Sequence, residues 1–323
     1  MPAKPLLVLD SASLYYRSYF ALPSSMTAPD GQPHNAIRGF LSTVARLIDT
    51  HGAAGVVACW DADWRPQWRV DLLPSYKAHR VAAEDAVTGT ATDPGAEAEP
   101  EDLGPQAQAI AGILDALGMP RWGVAGYEAD DVAASVARQL PGPVIVVTGD
   151  RDLVQLVDDR VRVLLAVNGG MEKWPLLDPP AVVDRFGVPA GHYVDLAVLR
   201  GDPSDGLPGV PGIGAKTAAA LVAAFGGCGG IRAAADAEPV TRPLTPRLAA
   251  AIREAGDYLD RAVPVATAVA DLPLPARAAE LPTAPADADA LDDLARRWGV
   301  ERQVREVQAA IARQTDPGQT DDE

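Results

Sequence analysis

The sequence is short of the residues that build most disulfide and zinc sites. Only Cys59, in an apolar run, and Cys228, in a glycine-rich stretch expected to be a turn, are cysteines among 323 residues. Two thiols so placed argue against a disulfide framework and suit a reducing cytoplasm. The four histidines (His34, His51, His79 and His192) are scattered with none at ligand spacing, which argues against a zinc centre of the His/Cys kind. His34, His51 and His192 are expected to be structural or exposed, and only His79, between Lys77 and Arg80, falls near candidate chemistry. No apolar run is long enough to span a bilayer. Met1-Pro-Ala-Lys-Pro5 leads straight into a strand-like run, so no secretory signal is expected. Basic residues are scarce as well: 28 Lys and Arg against 44 Asp and Glu give a formal net charge of −16. At first sight that is the wrong sign for a nucleic-acid partner.

The acids, however, are concentrated. Residues 84–102 hold seven of them and no Lys or Arg, and the tail holds Asp316, Asp321, Asp322 and Glu323. Nine more stand in short motifs: Asp10, Asp61, Glu128, Asp130, Asp131, Asp150, Asp152, Asp202 and Asp205. With these three groups set aside the remaining chain is mildly basic, so a DNA partner stays compatible with the charge, with a modest electrostatic share of the binding.

The apolar runs Leu6–Leu9, Val56–Trp60 and Val144–Val147 are short and rich in β-branched residues, as buried parallel strands are. Helical patterns over 36–51, 105–117 and 128–139 alternate with them, which predicts an α/β fold with a parallel sheet flanked by helices. Sites in such sheets form at the carboxyl ends of strands, where Asp10, Asp61, Asp150 and Asp152 fall. Glu128 and Asp131, three apart at a helix start, share a face. Asp150 and Asp152 in an extended segment project to one side. Convergent carboxylates repel and raise one another's pKa unless cations sit between them. All-oxygen donors point to Mg²⁺ or Mn²⁺. Two such ions suit hydrolysis of a phosphodiester.

Beyond residue 185 the patterns are helical, with helices expected over 192–199, 215–225, 246–261 and 285–313. Gly206-Leu-Pro-Gly209-Val-Pro-Gly212-Ile-Gly214 joins two of these as a helix-hairpin-helix-like turn. Backbone N–H groups of Gly214, Ala215 and Lys216 there suit a phosphate, and such contacts grip DNA without reading its sequence. Residues 81–104 show no helical period and read as an acidic insertion. The chain divides accordingly into 1–184, 185–275 and 276–323, the last a helix with a disordered acidic tail.

These segments, in this order, resemble the bacterial 5′→3′ exonuclease and flap endonuclease family, including the nuclease portion of DNA polymerase I without the polymerase. The resemblance rests on Leu6–Leu22, Asn35–Phe40, Trp60-Asp61 through Arg80, Gly126–Asp131, Thr148–Leu156 and Leu199–Thr217, and covers residues 5–275. It implies a PIN-like nuclease domain and a helix-hairpin-helix (H3TH) DNA-binding module. Asp10, Asp61, Glu128, Asp130 and Asp131 would surround a first metal ion. Asp150, Asp152, Asp202 and Asp205 would surround a second, with Asp130 bridging. Lys77 and Arg80 would act on the scissile phosphate, Arg17 on a DNA phosphate, and Tyr19 by stacking near the 5′ terminus. Gly209, Gly212, Gly214, Lys216 and Thr217 would hold the DNA backbone. Ser204 and the carbonyls of Val210 and Ile213 would hold K⁺ against it. The implied partners are DNA with 5′ ends or flaps and RNA primers, met by a monomer in the nucleoid-bearing cytoplasm.

Two departures from the family stand out. Gly206 replaces the usual Asn after Ser204-Asp205. Residues 81–104, broken by Pro94, Gly95 and Pro100, are poor helix formers, so no regular helical arch is expected there. Three rival readings remain at this stage. A PIN-type ribonuclease would not need the Gly206–Gly214 unit. A phosphatase of the Asp-x-Asp class would need a second Asp that the chain lacks, since it reads Asp10-Ser-Ala-Ser13. A non-catalytic DNA-binding relative would have lost acids that are all present.

Overall fold

A computed structural model of the chain describes residues 3–80, 100–276 and 279–315. Its centre is a six-stranded sheet of β1 (Leu6–Asp10), β2 (Gly55–Cys59), β3 (Arg121–Trp122), β4 (Val144–Thr148), β5 (Val161–Leu165) and β6 (Leu176–Leu177). The order is β3-β2-β1-β4-β5-β6, and only β6 runs antiparallel. The three central strands are buried along their whole length. This explains why they read as unbroken apolar runs: both faces of a parallel sheet are covered.

Alternate residues feed two cores. On one face Leu7, Leu9, Val56 and Ala58 pack under α2 (Asn35–His51), α4 (Leu103–Leu117), α12 (Ala288–Trp298) and α13 (Glu301–Thr315). On the other, Leu6, Val8, Val57 and Cys59 pack under α5 (Ala129–Gln139) and α7 (Tyr193–Arg200). That second core also takes in α6 (Pro179–Phe186) and runs on without a break through α8 (Ala215–Phe225), α9 (Cys228–Asp236), α10 (Pro246–Glu254) and α11 (Gly256–Ala266). The boundary expected near residue 184 therefore marks a change of architecture, while the buried core is shared across it.

Several expected elements are corrected. The pattern over 246–261 is two helices parted at Ala255. That over 285–313 is also two, because Gly299 takes φ +62 and ends the first. Cys228 opens a helix instead of lying in a turn. Both cysteines are buried and free. Helix α1 (Ser11–Ala21) was not anticipated, its serines and tyrosines blurring any apolar stripe; Asp10 caps it by accepting the Ser13 N–H. Asp152 stands at the head of a 3-10 turn, Asp152–Leu156, and not in an extended segment. The expectations for 81–99 and 316–323 lie outside the described residues. Among the described residues no single helix is long and apolar enough to cross a membrane.

The C-terminal helices are structural. Val304 and Val307 of α13 are buried against α2. Val307→Asp places an unpaired charge in that core and is expected to cost at least about 3 kcal/mol. Urea denaturation checks this, and a loss below about 1 kcal/mol, the scale of an ordinary surface change, would make α12 and α13 accessory.

Candidate active site

The sheet's topology brings the acids together. Strands β1 and β4 are neighbours, so Asp10 at the end of one lies beside Thr148, whose hydroxyl donates to Asp10 Oδ2 at 2.7 Å. Asp150 follows two residues on. From the β2 side, Asp61 Oδ1 accepts the Ala129 N–H at 2.8 Å. That bond fixes the start of α5, and with it Glu128 and Asp130. An open cleft of about 1440 Å³ results, lined among others by Asp10, Asp61, Lys77, Glu128, Asp130 and Asp150.

Electrostatics in the cleft is dominated by like charge. Burial, then the charges of Asp61 and Asp150, push Asp10 up to about 7, although the Thr148 hydroxyl and Ser13 N–H oppose this. Asp130 is raised by burial, then by Asp10 and Asp150. Asp150 is raised by burial and by Asp205. Asp152 is raised by burial, Asp150 and Asp205, and it shares a hydrogen bond with Asp205. Carboxylates held this way favour their neutral forms unless positive charge is supplied. Among the described residues, no three Asp, Glu, His or Cys side chains converge tightly enough to form a ready-made ion cage. The donor set is nonetheless all oxygen and carries surplus negative charge, which fits hard divalent cations that draw carboxylates inward.

Asp131 is engaged on both oxygens by protein donors. Oδ1 accepts from Arg69 Nη2 at 2.7 Å and from the Val269 N–H at 2.8 Å. Oδ2 accepts from Arg69 Nη1 at 2.8 Å and from the Glu128 N–H at 3.2 Å. A carboxylate offers about four lone-pair sites, and protein donors use all four. Glu128 is also engaged. Its Oε2 accepts from Arg69 Nη1 at 2.6 Å and from the Tyr76 hydroxyl at 2.7 Å, and its Oε1 pairs with Lys77 Nζ. Burial works to lower Lys77, but Glu128 and Asp205 outweigh it and push its pKa up to about 12.

Arg69 and Tyr76 are the residues that sequence reasoning passed over as site members. Arg69 is 3% exposed and sits in a short helix, α3 (Gln67–Leu72), where nothing in the local pattern marks it as buried.

The remaining candidates fall in three places. Arg17 lines the cleft, but its guanidinium donates to the carbonyls of Val167 and Gly169 and lies 5.3 Å from the Trp174 ring. Tyr19 donates to Asp102 at 2.6 Å, which pushes its pKa up to about 12, and meets the exposed Phe20 edge-on. Arg80 is exposed and donates to the Ser204 carbonyl at 3.3 Å. His34 is structural, buried with Nδ1 2.5 Å from the Trp298 carbonyl, and His79 lines the cleft.

In the glycine-rich turn, Gly214 precedes α8 with no side-chain cap, and Lys216 beside it is exposed. Val210 donates its N–H to the Leu199 carbonyl, and Ile213 its N–H to the Val210 carbonyl, which pins the turn to the end of α7. The Gly209 N–H donates to the Tyr258 hydroxyl at 3.1 Å. The Ser204 hydroxyl donates to Asp202, which also pairs with Arg200 at 3.2 Å. Gly206 has a plain reason: at φ +71 it lies against Ser75, and a Cβ there would overlap the Ser75 carbonyl. The same approach lets the Lys77 N–H donate to the Asp205 carbonyl at 3.1 Å.

Known proteins match this arrangement. Residues 5–187 match the 5′-3′ exonuclease N-terminal resolvase-like domain, and residues 188–289 match the 5′-3′ exonuclease C-terminal SAM fold. The chain belongs to the 5′-3′ exonuclease family. It is 54% identical over 296 residues to a 5′-3′ exonuclease of Streptomyces coelicolor, covering 91% of this chain and 96% of that one. It is 46% identical to a 5′-3′ exonuclease of Mycobacterium tuberculosis, covering 95% and 98%. It is 37% identical to DNA polymerase I of Mycobacterium bovis over 69% of this chain, which corresponds to 23% of that polymerase. In fold it is similar to the T5 D15 protein co-crystallised with metal ions (TM-score 0.60, 19% identity, 97% and 100% covered). The flap endonuclease-1 of Methanococcus jannaschii shares the fold too (TM-score 0.56, 16% identity, 97% and 94% covered).

Two substitutions separate the two kinds of acid. Without divalent metal, Asp10 binds its proton more tightly folded than unfolded. Its contribution is therefore full at low pH and is lost as pH rises toward 7. In EDTA at pH 8, Asp10→Asn is expected to raise the melting temperature, and this gain should vanish near pH 4. Asp131→Asn breaks a buried bidentate pair and is expected to destabilise by about 3 kcal/mol at neutral pH. Thermal scans of both variants with EDTA check the contrast, and stabilisation by Asp131→Asn would remove its structural role.

Proposed function

We propose that this chain hydrolyses DNA phosphodiesters at 5′ ends and at 5′ flaps near the junction of single strand and duplex, in primer removal and repair, with RNA primers accepted. The observation that carries the reading is the crowding of buried, mutually repelling carboxylates at adjacent strand ends, with Lys77 and Arg80 on the same cleft. Asp10, Asp61, Glu128 and Asp130 are assigned to one Mg²⁺ or Mn²⁺ ion. Asp150, Asp152, Asp202 and Asp205 are assigned to another, with Asp130 between. Such ions, when bound, act as Lewis acids on phosphoryl oxygens and make a water more acidic.

The protein's own groups do the remaining work. Lys77 Nζ and the Arg80 guanidinium place fixed positive charge where the scissile phosphate gains negative charge. Asp10 is held by Thr148 and Ser13, and Asp150 accepts the Asp152 N–H at 2.9 Å, so neither carboxylate is free to swing. The uncapped N–H groups at the start of α8, with Gly209, Gly212, Gly214, Lys216 and Thr217, grip a DNA phosphate. K⁺ is assigned to Ser204 and the carbonyls of Val210 and Ile213. Arg17 takes a phosphate by exchanging its carbonyl partners, and Tyr19 with Phe20 stacks on a base. The protein acts as a monomer in the cytoplasm, at the nucleoid.

A 5′-labelled flap duplex tests this beside a matched single strand, in Mg²⁺, Mn²⁺ or EDTA. Junction cutting that needs metal and spares the single strand is expected. Asp150→Asn should abolish cutting while DNA binding persists, and retained turnover would remove Asp150 from the metal site.

A further inference from the structure

We propose that Arg69 is a positioning residue, which holds Glu128 in the one orientation that presents Oε1 to Lys77 and so sets the Lys77 ammonium in the cleft. The inference rests on the nuclease reading above and names a residue that acts through another. Glu128 Oε2 is taken twice, by Arg69 Nη1 at 2.6 Å and by the Tyr76 hydroxyl at 2.7 Å. Two bonds on one oxygen fix the carboxylate plane, and the other oxygen can then only face Lys77. Arg69 is itself held at every donor group. Nη1 and Nη2 meet Asp131, and Nε donates to the Val265 carbonyl of α11 at 3.0 Å.

A lysine side chain is long and costly to order. Here both of its ends are held: the backbone, at φ +48, by the Asp205 carbonyl, and the ammonium by Glu128. A lysine at position 69 would keep the charge. It would lose the planar fork that serves Glu128, Asp131 and Val265 at once. A merely structural ion pair would not need its second carboxylate aimed at a cation on the cleft wall.

A double-mutant cycle tests this, using the single-turnover rate on a flap duplex at saturating DNA for the wild type, R69K, K77A and the double variant. R69K alone is expected to slow cleavage by about 100-fold, the scale of a misplaced catalytic group. Its affinity for the duplex in EDTA should be unchanged. In the K77A background the same change should cost nothing further, because Arg69 acts through Lys77. An equal loss in both backgrounds would overturn the proposal. Should R69K not fold, Y76F removes the other donor to Glu128 Oε2, and the same cycle decides. A wild type that cuts nothing would sink the nuclease reading instead. The positioning of Lys77 is then read by its acetylation with an amine-reactive reagent, followed by mass spectrometry. Faster labelling of Lys77 in R69K or Y76F than in wild type supports the proposal, and equal labelling overturns it.

Discussion

Repulsion among carboxylates at the carboxyl edge of one parallel sheet is the constraint on which this structure depends. Asp10, Asp130, Asp150 and Asp152 are each pushed toward their neutral forms by burial and by neighbouring carboxylates. Such a group of charges is costly to hold together, and the fold meets the cost locally. Thr148 and backbone N–H groups donate to the acids. Lys77 and Arg69 bring positive charge to Glu128. The acids divide into those that have been neutralised by the protein and those that have not. Asp131 belongs wholly to the first kind, Asp10 and Asp150 to the second, and Glu128 stands between.

The sheet and the acidic motifs were legible because each rests on a local rule. Buried parallel strands read as apolar runs, and their carboxyl ends mark the site. What escaped was non-local. Asp130 and Asp131 are adjacent and look alike in sequence, yet only Asp131 meets a bidentate arginine 62 positions away. Spacing could not tell them apart, because the difference is made by α3 delivering Arg69 to the start of α5. Arg69 escaped for the same reason, since a charged residue in a six-residue helix reads as surface. Helix breaks at Ala255 and Gly299 were missed because the apolar period survives across them. Gly206, a departure from the family, is the residue that lets Ser75 and Lys77 approach.

The helical module and the sheet domain meet at the site itself. Asp205 gives its carbonyl to Lys77 and its carboxyl to the acid cluster, and Arg69 reaches from α3 to α11. The turn proposed to grip DNA and the acids proposed to hold cations thus belong to one packed unit. A shift of the module would move Lys77, whose N–H donates to the Asp205 carbonyl, relative to Asp150.

The pairing of α13 with α2 has a consequence for how the chain comes into being. The apolar face of α2 is complete once residue 51 leaves the ribosome, but its cover at 301–315 follows some 250 residues later. At about 5–20 residues per second that interval is roughly tens of seconds. Throughout it the face of α2 that packs against α13 lacks its cover. The nascent chain therefore passes through a long window in which it is a natural client for chaperones, and α13 must emerge before this layer of the fold can close.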